Sequence, residues 1–324
     1  MAGIGVIVNP KSRRNLRDPG AALRLERKLG DHGVLRRAGS IEELYRIAED
    51  FRRLDIDVLA ISGGDGTGHV TLTGFLDVYG GAMVPQVALL RGGTMNTVAN
   101  SVGVPRGGPE GLLARLVRAY ARRAILPLAG VERRVMCVRP EGGRAQYGFL
   151  FGTGVVHGFL AEYYRSGAAT PWVAATTLAR GIGSAAVGGP MIRRMAAPFR
   201  GSVALDDGTT WPERDYLTIA AGSIADIGLR FRPFHRFAER DGAFHVLGIH
   251  TSPLGFVAEL PRIQRCRPMR SGKAYDAVST RAVLSSHTGR FDFMIDGDLH
   301  VSQGTRLEIA MGPKVRLLVV RPTR

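Results

Sequence analysis

The chain has 324 residues, 45% of them hydrophobic, and a formal net charge of +16. That length is typical of two domains, and that apolar content supports sizeable cores, so the composition excludes a disordered chain. It also excludes a membrane-spanning helix, because no stretch reaches about 18 uninterrupted apolar residues. Two separated cysteines and an N-terminus without signal-peptide anatomy predict a cytoplasmic protein.

The positive charge favours anionic partners, namely a nucleotide, acidic lipid headgroups or nucleic acid. Nucleic acid is not expected, because the chain has no zinc finger, aromatic RNA-binding motif or recognition-helix signature. Only four of the 44 basic residues are lysines, an arginine excess that a GC-rich genome would also produce. The charge therefore predicts peripheral contact with an anionic membrane, with codon bias as the alternative explanation.

In the N-terminal part of the chain, apolar runs of β type alternate with amphipathic segments of helical period. One helix start is marked by a capping box, in which Ser40 precedes Glu43 by three residues. The alternation predicts a parallel sheet covered by helices on both faces. Strands are predicted at residues 4–8, 34–37, 58–61 and 86–90, and helices at about 19–29, 41–54 and 109–123.

A glycine-rich loop, Gly63-Gly64-Asp65-Gly66-Thr67, follows the buried strand at 58–61 and leads into a helical segment. Glycines let a backbone approach a bulky anion closely, and the free N–H groups at a helix start favour phosphate. A single acid among such amides repels an anion unless it binds Mg²⁺ or takes a proton from a substrate hydroxyl. The loop therefore indicates phosphoryl transfer. The alternative is an ordinary strand–helix turn with Asp65 as its cap.

A second glycine turn, Gly92-Gly93-Thr94-Met95-Asn96, follows the strand at 86–90. The first strand ends in Asn9-Pro10-Lys11-Ser12, which places polar side chains at the same edge of the predicted sheet. Open α/β sheets bind their ligands at the carboxyl ends of the strands. These segments are therefore expected to close around one nucleotide.

From about residue 125 short strand-like runs dominate, which predicts a mostly antiparallel sheet or sandwich and two domains, 1–124 and 125–324. A helical interruption at about 157–188 carries aromatic residues that favour a core role, with a lipid-facing cleft as the alternative. An exposed edge strand leaves a homodimer open. The runs lie at residues 125–128, 135–139, 147–151, 202–205, 216–220, 244–249, 282–284, 291–295, 306–310 and 315–320.

The motifs at 9–12, 63–67 and 93–96 together resemble the diacylglycerol-kinase catalytic-domain family, which includes bacterial lipid kinases, sphingosine kinases and ceramide kinases. Near the far end, Asp296-Gly297-Asp298 resembles the family's Asp-Gly-Glu, and Asp241-Gly242 resembles its Asp-Gly before a strand. The central pentapeptide is shared with NAD kinases. The motifs on either side of it are what favour the lipid kinases.

The resemblance implies an α/β nucleotide domain followed by a β-sandwich lipid-substrate domain. It also implies an active site in the inter-domain cleft and a C-terminal end that packs back on the first domain. The implied activity is transfer of the γ-phosphoryl group of ATP, with Mg²⁺, to a lipid hydroxyl. Asp65 and Asp298 fall on the catalytic acids, and Asp241 falls near a bacterial magnesium site that looks structural. The nucleotide-contacting positions are Asn9, Ser12, Gly63, Gly64, Gly66, Thr67, Gly93, Thr94 and Asn96.

Several carboxylates of the family pattern are missing. Thr97 stands where many bacterial members have an aspartate, Asp298 replaces a glutamate, and the segment 152–157 has no acid. Fewer carboxylates leave Mg²⁺ with fewer oxygen ligands. Two alternatives to a diacylglycerol- or sphingosine-like lipid kinase therefore stay open: a catalytically impaired lipid- or nucleotide-binding member, and a soluble small-molecule kinase of the NAD-kinase type.

Overall fold

The structure, a computed structural model, describes residues 3–80, 83–167 and 170–321. The chain divides into two compact units. The N-terminal unit comprises Met1–Arg133 with Pro313–Arg324, and the C-terminal unit comprises Arg134–Gly312. Among the described helices, none combines the length and the apolar composition needed to cross a membrane.

The N-terminal unit alternates strands and helices, as the sequence predicts. Its strands pair in the order β2-β1-β3-β4, all in parallel. A segment from the far end of the chain joins this sheet, where Leu317 pairs in parallel with Val87. The elements are β1 Ile4–Val8, α1 Arg13–Arg17, α2 Ala21–Leu29, β2 Gly33–Arg37, α3 Ile41–Arg53, β3 Val58–Ser62, α4 Asp65–Tyr79, β4 Gln86–Leu89, α5 Thr97–Ser101 and α6 Pro109–Ala121.

The central strands β1 and β3 are buried along their whole length, which explains their continuous apolar sequences. Helices α3 and α4 pack together, with the rings of Phe51 and Phe75 edge to face at 6.0 Å. A Cβ on Gly5 would lie 2.3 Å from the Phe51 ring, so this strand position has room only for glycine. The predicted capping box also forms, since Ser40 Oγ accepts the N–H of Glu43 at 3.2 Å.

The C-terminal unit is built mainly of antiparallel strands. One sheet has the order β12-β11-β10-β7-β14-β15, and in the other β13 pairs antiparallel with β16 and β8. The first residues of β5 and the last residues of β16 belong to the N-terminal unit. The elements from residue 130 onward are β5 Gly130–Pro140, β6 Gln146–Gly148, β7 Leu150–Thr153, α7 Gly154–Arg165, α8 Pro171–Ala186, α9 Pro190–Met195, β8 Phe199–Leu205, β9 Thr210–Tyr216, β10 Thr218–Gly222, β11 Phe244–Ile249, α10 Pro253–Val257, α11 Leu260–Gln264, β12 Ala274–Ser279, β13 Arg281–Ser286, β14 Asp292–Ile295, β15 Asp298–Val301 and β16 Arg306–Leu318.

One hydrophobic core lies between the two sheets of this unit. Alternate residues of each strand enter it, as expected when side chains of a strand point to opposite faces in turn. The predicted fold class, a parallel α/β region followed by an antiparallel sandwich, is confirmed. Alternating core residues include Val203, Leu205, Ile219, Ala221, Phe244, Val246, Ala282, Leu284, Phe293, Ile295, Leu307 and Ile309.

Some predicted elements are wrong in detail. Residues 125–128 form a turn instead of a strand, and the side chain of Ile125 is 90% exposed. The two strands predicted at 306–310 and 315–320 are one strand, β16, which continues through Gly312-Pro313. The predicted helical interruption at about 157–188 comprises α7 and α8, with α9 following them.

Candidate active site

The two glycine loops of the N-terminal unit contact each other backbone to backbone. A Cβ on Gly93 would lie 2.3 Å from Cα of Gly64, and one on Gly92 would lie 2.9 Å from the nitrogen of Gly63. Real Cβ atoms do not approach other atoms this closely, so both loops need glycine at these positions. The structure thus brings together two segments that the sequence places at the ends of neighbouring strands.

The first glycine loop is also joined to the end of β1. Asn9 donates its side-chain N–H to Oγ1 of Thr67 at 3.3 Å, and its Oδ1 accepts the N–H of Lys11 at 2.9 Å. A Cβ on Gly63 would lie 2.4 Å from the Thr67 side chain. Ser12, just before α1, donates its N–H to the carbonyl of Asn9 at 3.1 Å. Four of the predicted nucleotide-contacting residues are therefore close neighbours.

Asp65 is the first residue of α4, and its carboxylate binds the start of a different helix. Oδ2 accepts the N–H of Thr97 at 2.9 Å, and Oδ1 accepts the N–H of Val98 at 3.2 Å. These N–H groups have no partner within α5, because the first turn of a helix leaves its donors free. Asp65, from the first loop, therefore caps the helix that follows the second loop. This connection between the two loops is not visible in the sequence.

The environment of Asp65 changes its proton affinity. Burial raises the pKa of the Asp65 carboxyl above its ordinary value, while the N–H groups of Thr97 and Val98, the Thr97 hydroxyl and the nearby Arg91 guanidinium act in the opposite direction. Arg91 itself donates to the carbonyl of Val104 at 3.0 Å and to Oδ1 of Asn100 at 2.6 Å. Its guanidinium thus braces α5, a role that sequence reasoning missed.

Asn96 closes the second loop. Its backbone has φ of 48°, a left-handed conformation that asparagine tolerates better than most residues. Its Nδ2 donates to the carbonyl of Gly93 at 2.6 Å, and its Oδ1 accepts the N–H of Gly93 at 3.2 Å. Thr94 lies within the loop that these bonds close, and Gly66 is the second residue of α4.

These residues fit a nucleotide and one metal ion. Glycine at these positions keeps side chains out of the place where the two loops meet, and a loop without side chains lets a phosphate approach the backbone closely. Each oxygen of Asp65 accepts one N–H, and the Thr97 hydroxyl is a third donor to this carboxylate. A carboxylate has about four acceptor positions, so one is left for a metal ion. Mg²⁺ in nucleotide sites is commonly held by one or two carboxylates together with phosphates and water. Asp65 would therefore hold Mg²⁺ with the phosphates as its other ligands.

Asp298 lies in the C-terminal unit, as the first residue of β15. The turn before it is firmly held, because the buried carboxylate of Asp296 accepts the N–H groups of Phe149 at 3.0 Å and Leu150 at 2.8 Å. The carbonyl of Gly297, the next residue, accepts the hydroxyl of Tyr164 at 2.9 Å. Sequence reasoning noted the Asp-Gly-Asp motif but missed that its first acid positions the turn.

Asp241, the predicted metal ligand, has a side chain that is 81% exposed. Nε of Arg134 lies 4.0 Å from Oδ1 of Asp241. A cation at that distance lowers the affinity of the carboxylate for a second cation. Metal binding at Asp241 stays a prediction.

A cavity of about 390 Å³ lies in the C-terminal unit beside α7 and α9. Its wall is strongly charged, and Glu162 there receives Arg165 at 2.7 Å and Arg194 at 3.4 Å. Burial lowers the pKa of His157, and the carboxylate of Asp292, 4.0 Å away, acts in the opposite direction. His69 is buried in α4.

Residues 3–126 match the diacylglycerol kinase catalytic domain. The fold is similar to the solved structure of a diacylglycerol kinase from Bacillus anthracis str. Sterne, at 14% identity and a TM-score of 0.60, over 99% of this chain and 97% of the other. Two further structures from that strain match at 14% and 15% identity, with TM-scores of 0.65 and 0.64. They cover 99% and 98% of this chain and 97% and 96% of theirs. None of the curated proteins matches this sequence.

Proposed function

Because residues 3–126 match the diacylglycerol kinase catalytic domain, we propose that the protein is an ATP-dependent lipid kinase acting at an anionic membrane surface. The observation that carries the proposal is the carboxylate of Asp65, which joins the two glycine loops. A pair of loops so joined offers backbone donors to phosphate and a carboxylate to a metal ion.

On the nucleotide side, the chain's part is positioning. Magnesium-bound ATP supplies the transferable phosphoryl group and neutralises its charge. Gly63, Gly64 and Gly93 keep side chains out of the space where the two loops meet, and the contact of Asn9 with Thr67 fixes one wall of the first loop. Asp65 would hold the metal ion while keeping α5 in place.

On the acceptor side, Asp298 is proposed to take the proton of the lipid hydroxyl. A general base must reach its proton within hydrogen-bond distance, so its backbone has to be held. The bonds from Asp296 to the strand β7 and from Tyr164 of α7 to Gly297 hold the turn that precedes Asp298. The acceptor is expected to be a diacylglycerol- or sphingosine-like lipid.

Contact with the membrane is proposed for an exposed apolar face in the C-terminal unit. Trp172 near the start of α8 is 75% exposed, and Leu254 of α10 is 54% exposed. Helices α8 and α10 pack against each other, so both side chains stand on neighbouring helices. Tryptophan favours the boundary between headgroups and acyl chains, and the net charge of +16 adds attraction to anionic lipids.

A second candidate is a nucleotide- or lipid-binding protein without turnover. Both oxygens of Asp65 already accept N–H groups of α5, and Thr97 stands where many relatives carry an acid. Such a protein would bind ATP through the same loops, yet it would transfer nothing.

The test is transfer of labelled γ-phosphate from ATP with Mg²⁺ to a panel of lipids in mixed micelles, with NAD as the soluble acceptor. The proposal expects label in one lipid class and none in NAD. Label in NAD alone would contradict it in favour of a soluble small-molecule kinase. Folded protein that binds ATP but labels nothing would establish the second candidate instead.

A further inference from the structure

A cluster of two histidines and an aspartate lies in the C-terminal unit and includes none of the residues assigned to phosphoryl transfer. His245 belongs to β11, Asp276 belongs to the neighbouring β12, and His235 lies in the connection of residues 223–243 between β10 and β11. We propose that His235, His245 and Asp276 form a binding site for a divalent transition metal such as Zn²⁺.

The spacing of the three side chains suits a small tetrahedral ion. Nε2 of His245 lies 3.0 Å from Oδ1 of Asp276, and Nε2 of His235 lies 3.8 Å from Oδ2. One ligand atom from each residue lies within 4.8 Å of the others. Bonds of about 2.1 Å in tetrahedral geometry place ligand atoms about 3.4 Å apart. Small side-chain rotations therefore bring all three onto one ion.

The ligand set favours Zn²⁺ over Mg²⁺. Two imidazoles and one carboxylate are typical of zinc, whereas Mg²⁺ prefers oxygen ligands alone. His235 is already oriented for metal, because its Nδ1 lies 3.2 Å from the carbonyl of Pro233 and can donate its proton there. With its proton on Nδ1, His235 has its lone pair on Nε2, which faces Asp276. Carbonyl groups orient metal-binding imidazoles in this way in other metal sites.

Arg236 is the competitor for Asp276. Its NH1 lies 2.7 Å from Oδ1 of Asp276, but its Nε and NH2 also bind the two oxygens of Glu239 at 2.6 and 2.7 Å. The guanidinium therefore keeps a bidentate partner when a metal ion takes the aspartate. A metal on Nε2 of His245 moves the ring proton to Nδ1, which faces the N–H of Arg236 at 3.4 Å. The two groups would then both be donors, so this long hydrogen bond is lost and the ring has to shift away from the N–H of Arg236 when the metal ion binds.

Metal binding would clamp the long connection before β11 to the sheet. His235 is the ligand from this connection, whereas the other two ligands come from paired strands. An ion that binds the folded chain stabilises it by mass action, and here the gain is expected to be largest in residues 223–243. Proteolysis within that connection should slow when Zn²⁺ is present.

The site is tested on the full-length protein without an affinity tag, by titrating Zn²⁺ against a chromophoric chelator and by thermal unfolding. We expect one Zn²⁺ per chain, a higher melting temperature with Zn²⁺ than with Mg²⁺, and at least about tenfold weaker binding for His235→Gln. His250→Gln, a histidine of the same region outside the cluster, should bind as the wild type does.

Two further variants keep the test decisive. Asp276→Asn removes a ligand at a partly exposed position, so it replaces His235→Gln if that variant fails to fold. The double variant Cys137→Ser with Cys266→Ser should retain Zn²⁺, which excludes the thiols as ligands. Absence of stoichiometric Zn²⁺ binding, or equal affinity of the wild type and both cluster variants, would overturn the proposal.

Discussion

The carboxylate of Asp65 accepts two N–H groups from a helix that begins 32 residues further along the chain. This pairing could not be predicted from the sequence, because the partners are backbone groups that carry no sequence signal. The glycines around Asp65 could be predicted, since only glycine fits where two loops touch. The motif therefore indicated which residues matter at the candidate site, and the structure indicates that Asp65 also positions α5.

The raised pKa of Asp65 predicts how stability depends on pH at this residue. A carboxyl whose folded pKa lies above its unfolded value favours folding below the unfolded pKa and loses that contribution as pH rises through the folded pKa. Asp65→Asn cannot titrate. The free energy of unfolding, measured with urea from about pH 4 to pH 8, should therefore fall with pH more steeply in the wild type than in the variant. If the free energy of unfolding depends on pH in the same way in the wild type and in Asp65→Asn, the raised pKa of Asp65 is contradicted.

At the scale of elements, Asp206 fastens the β8–β9 hairpin to the turn between β12 and β13. Its carboxylate accepts the Ser279 hydroxyl at 2.5 Å, the Thr280 N–H at 2.9 Å and the Thr280 hydroxyl at 2.6 Å. Burial opposes the charge, but these donors and Arg240 outweigh it and lower the pKa of Asp206 to about 2.

The folded pKa of Asp206 is about 2 against 3.8 for the free side chain, and because the residue is exposed to solvent screening this hairpin contact should contribute about 1 kcal/mol of stability at neutral pH. The contribution is present above pH 4 and is lost as pH falls through 2. Asp206→Asn should therefore lower the free energy of unfolding at pH 7 by about that amount. The exposed Asp215→Asn is the control, and an equal loss in both variants would refute the clamp.

Helix α8 is predicted to contact the membrane through Trp172. Trp172 is 75% exposed, whereas the other tryptophan, Trp211, is 4% exposed, so a change in fluorescence on adding liposomes reports Trp172. We expect a blue shift with anionic liposomes and about tenfold weaker binding for Trp172→Ala. Leu23→Ala removes an exposed apolar side chain of α2 and should bind normally. An unchanged spectrum at saturating liposomes would exclude α8 from the contact.

Most helices and strands could be predicted, because the spacing of apolar residues along the sequence follows the side of each element that is buried. The errors have physical causes. The two strands predicted at 306–310 and 315–320 are separated by a segment with Gly312-Pro313, but β16 passes through it, and Leu317 pairs with Val87 beyond that point. Residues 125–128 have strand-like composition, yet Ile125 and Leu126 are exposed in a turn. The local sequence pattern shows only which residue types a segment contains. Whether the segment forms a strand depends on the strands that can pair with it.

At the scale of the whole molecule, the net charge of +16 predicts attraction to anionic bilayers that depends on ionic strength. Between about 0.05 M and 0.5 M salt, liposome binding should weaken at least about tenfold, because the screening length shortens. Co-sedimentation with anionic and with zwitterionic liposomes measures this. Liposome binding that changes with neither salt concentration nor lipid charge would contradict electrostatic attraction and favour codon usage as the explanation of the arginine content. A homodimer through a free sheet edge stays a prediction.

The central claim is that the paired glycine loops are the nucleotide site of a lipid kinase. The most direct test compares Gly63→Ala with Gly68→Ala in the transfer of labelled phosphate from ATP to lipid. A Cβ at Gly63 would lie 2.4 Å from the Thr67 side chain, whereas one at Gly68 in α4 meets no neighbouring group within 4 Å. We predict at least about a tenfold loss of transfer for the first variant and wild-type transfer for the second. Equal activity in the two variants would contradict the account.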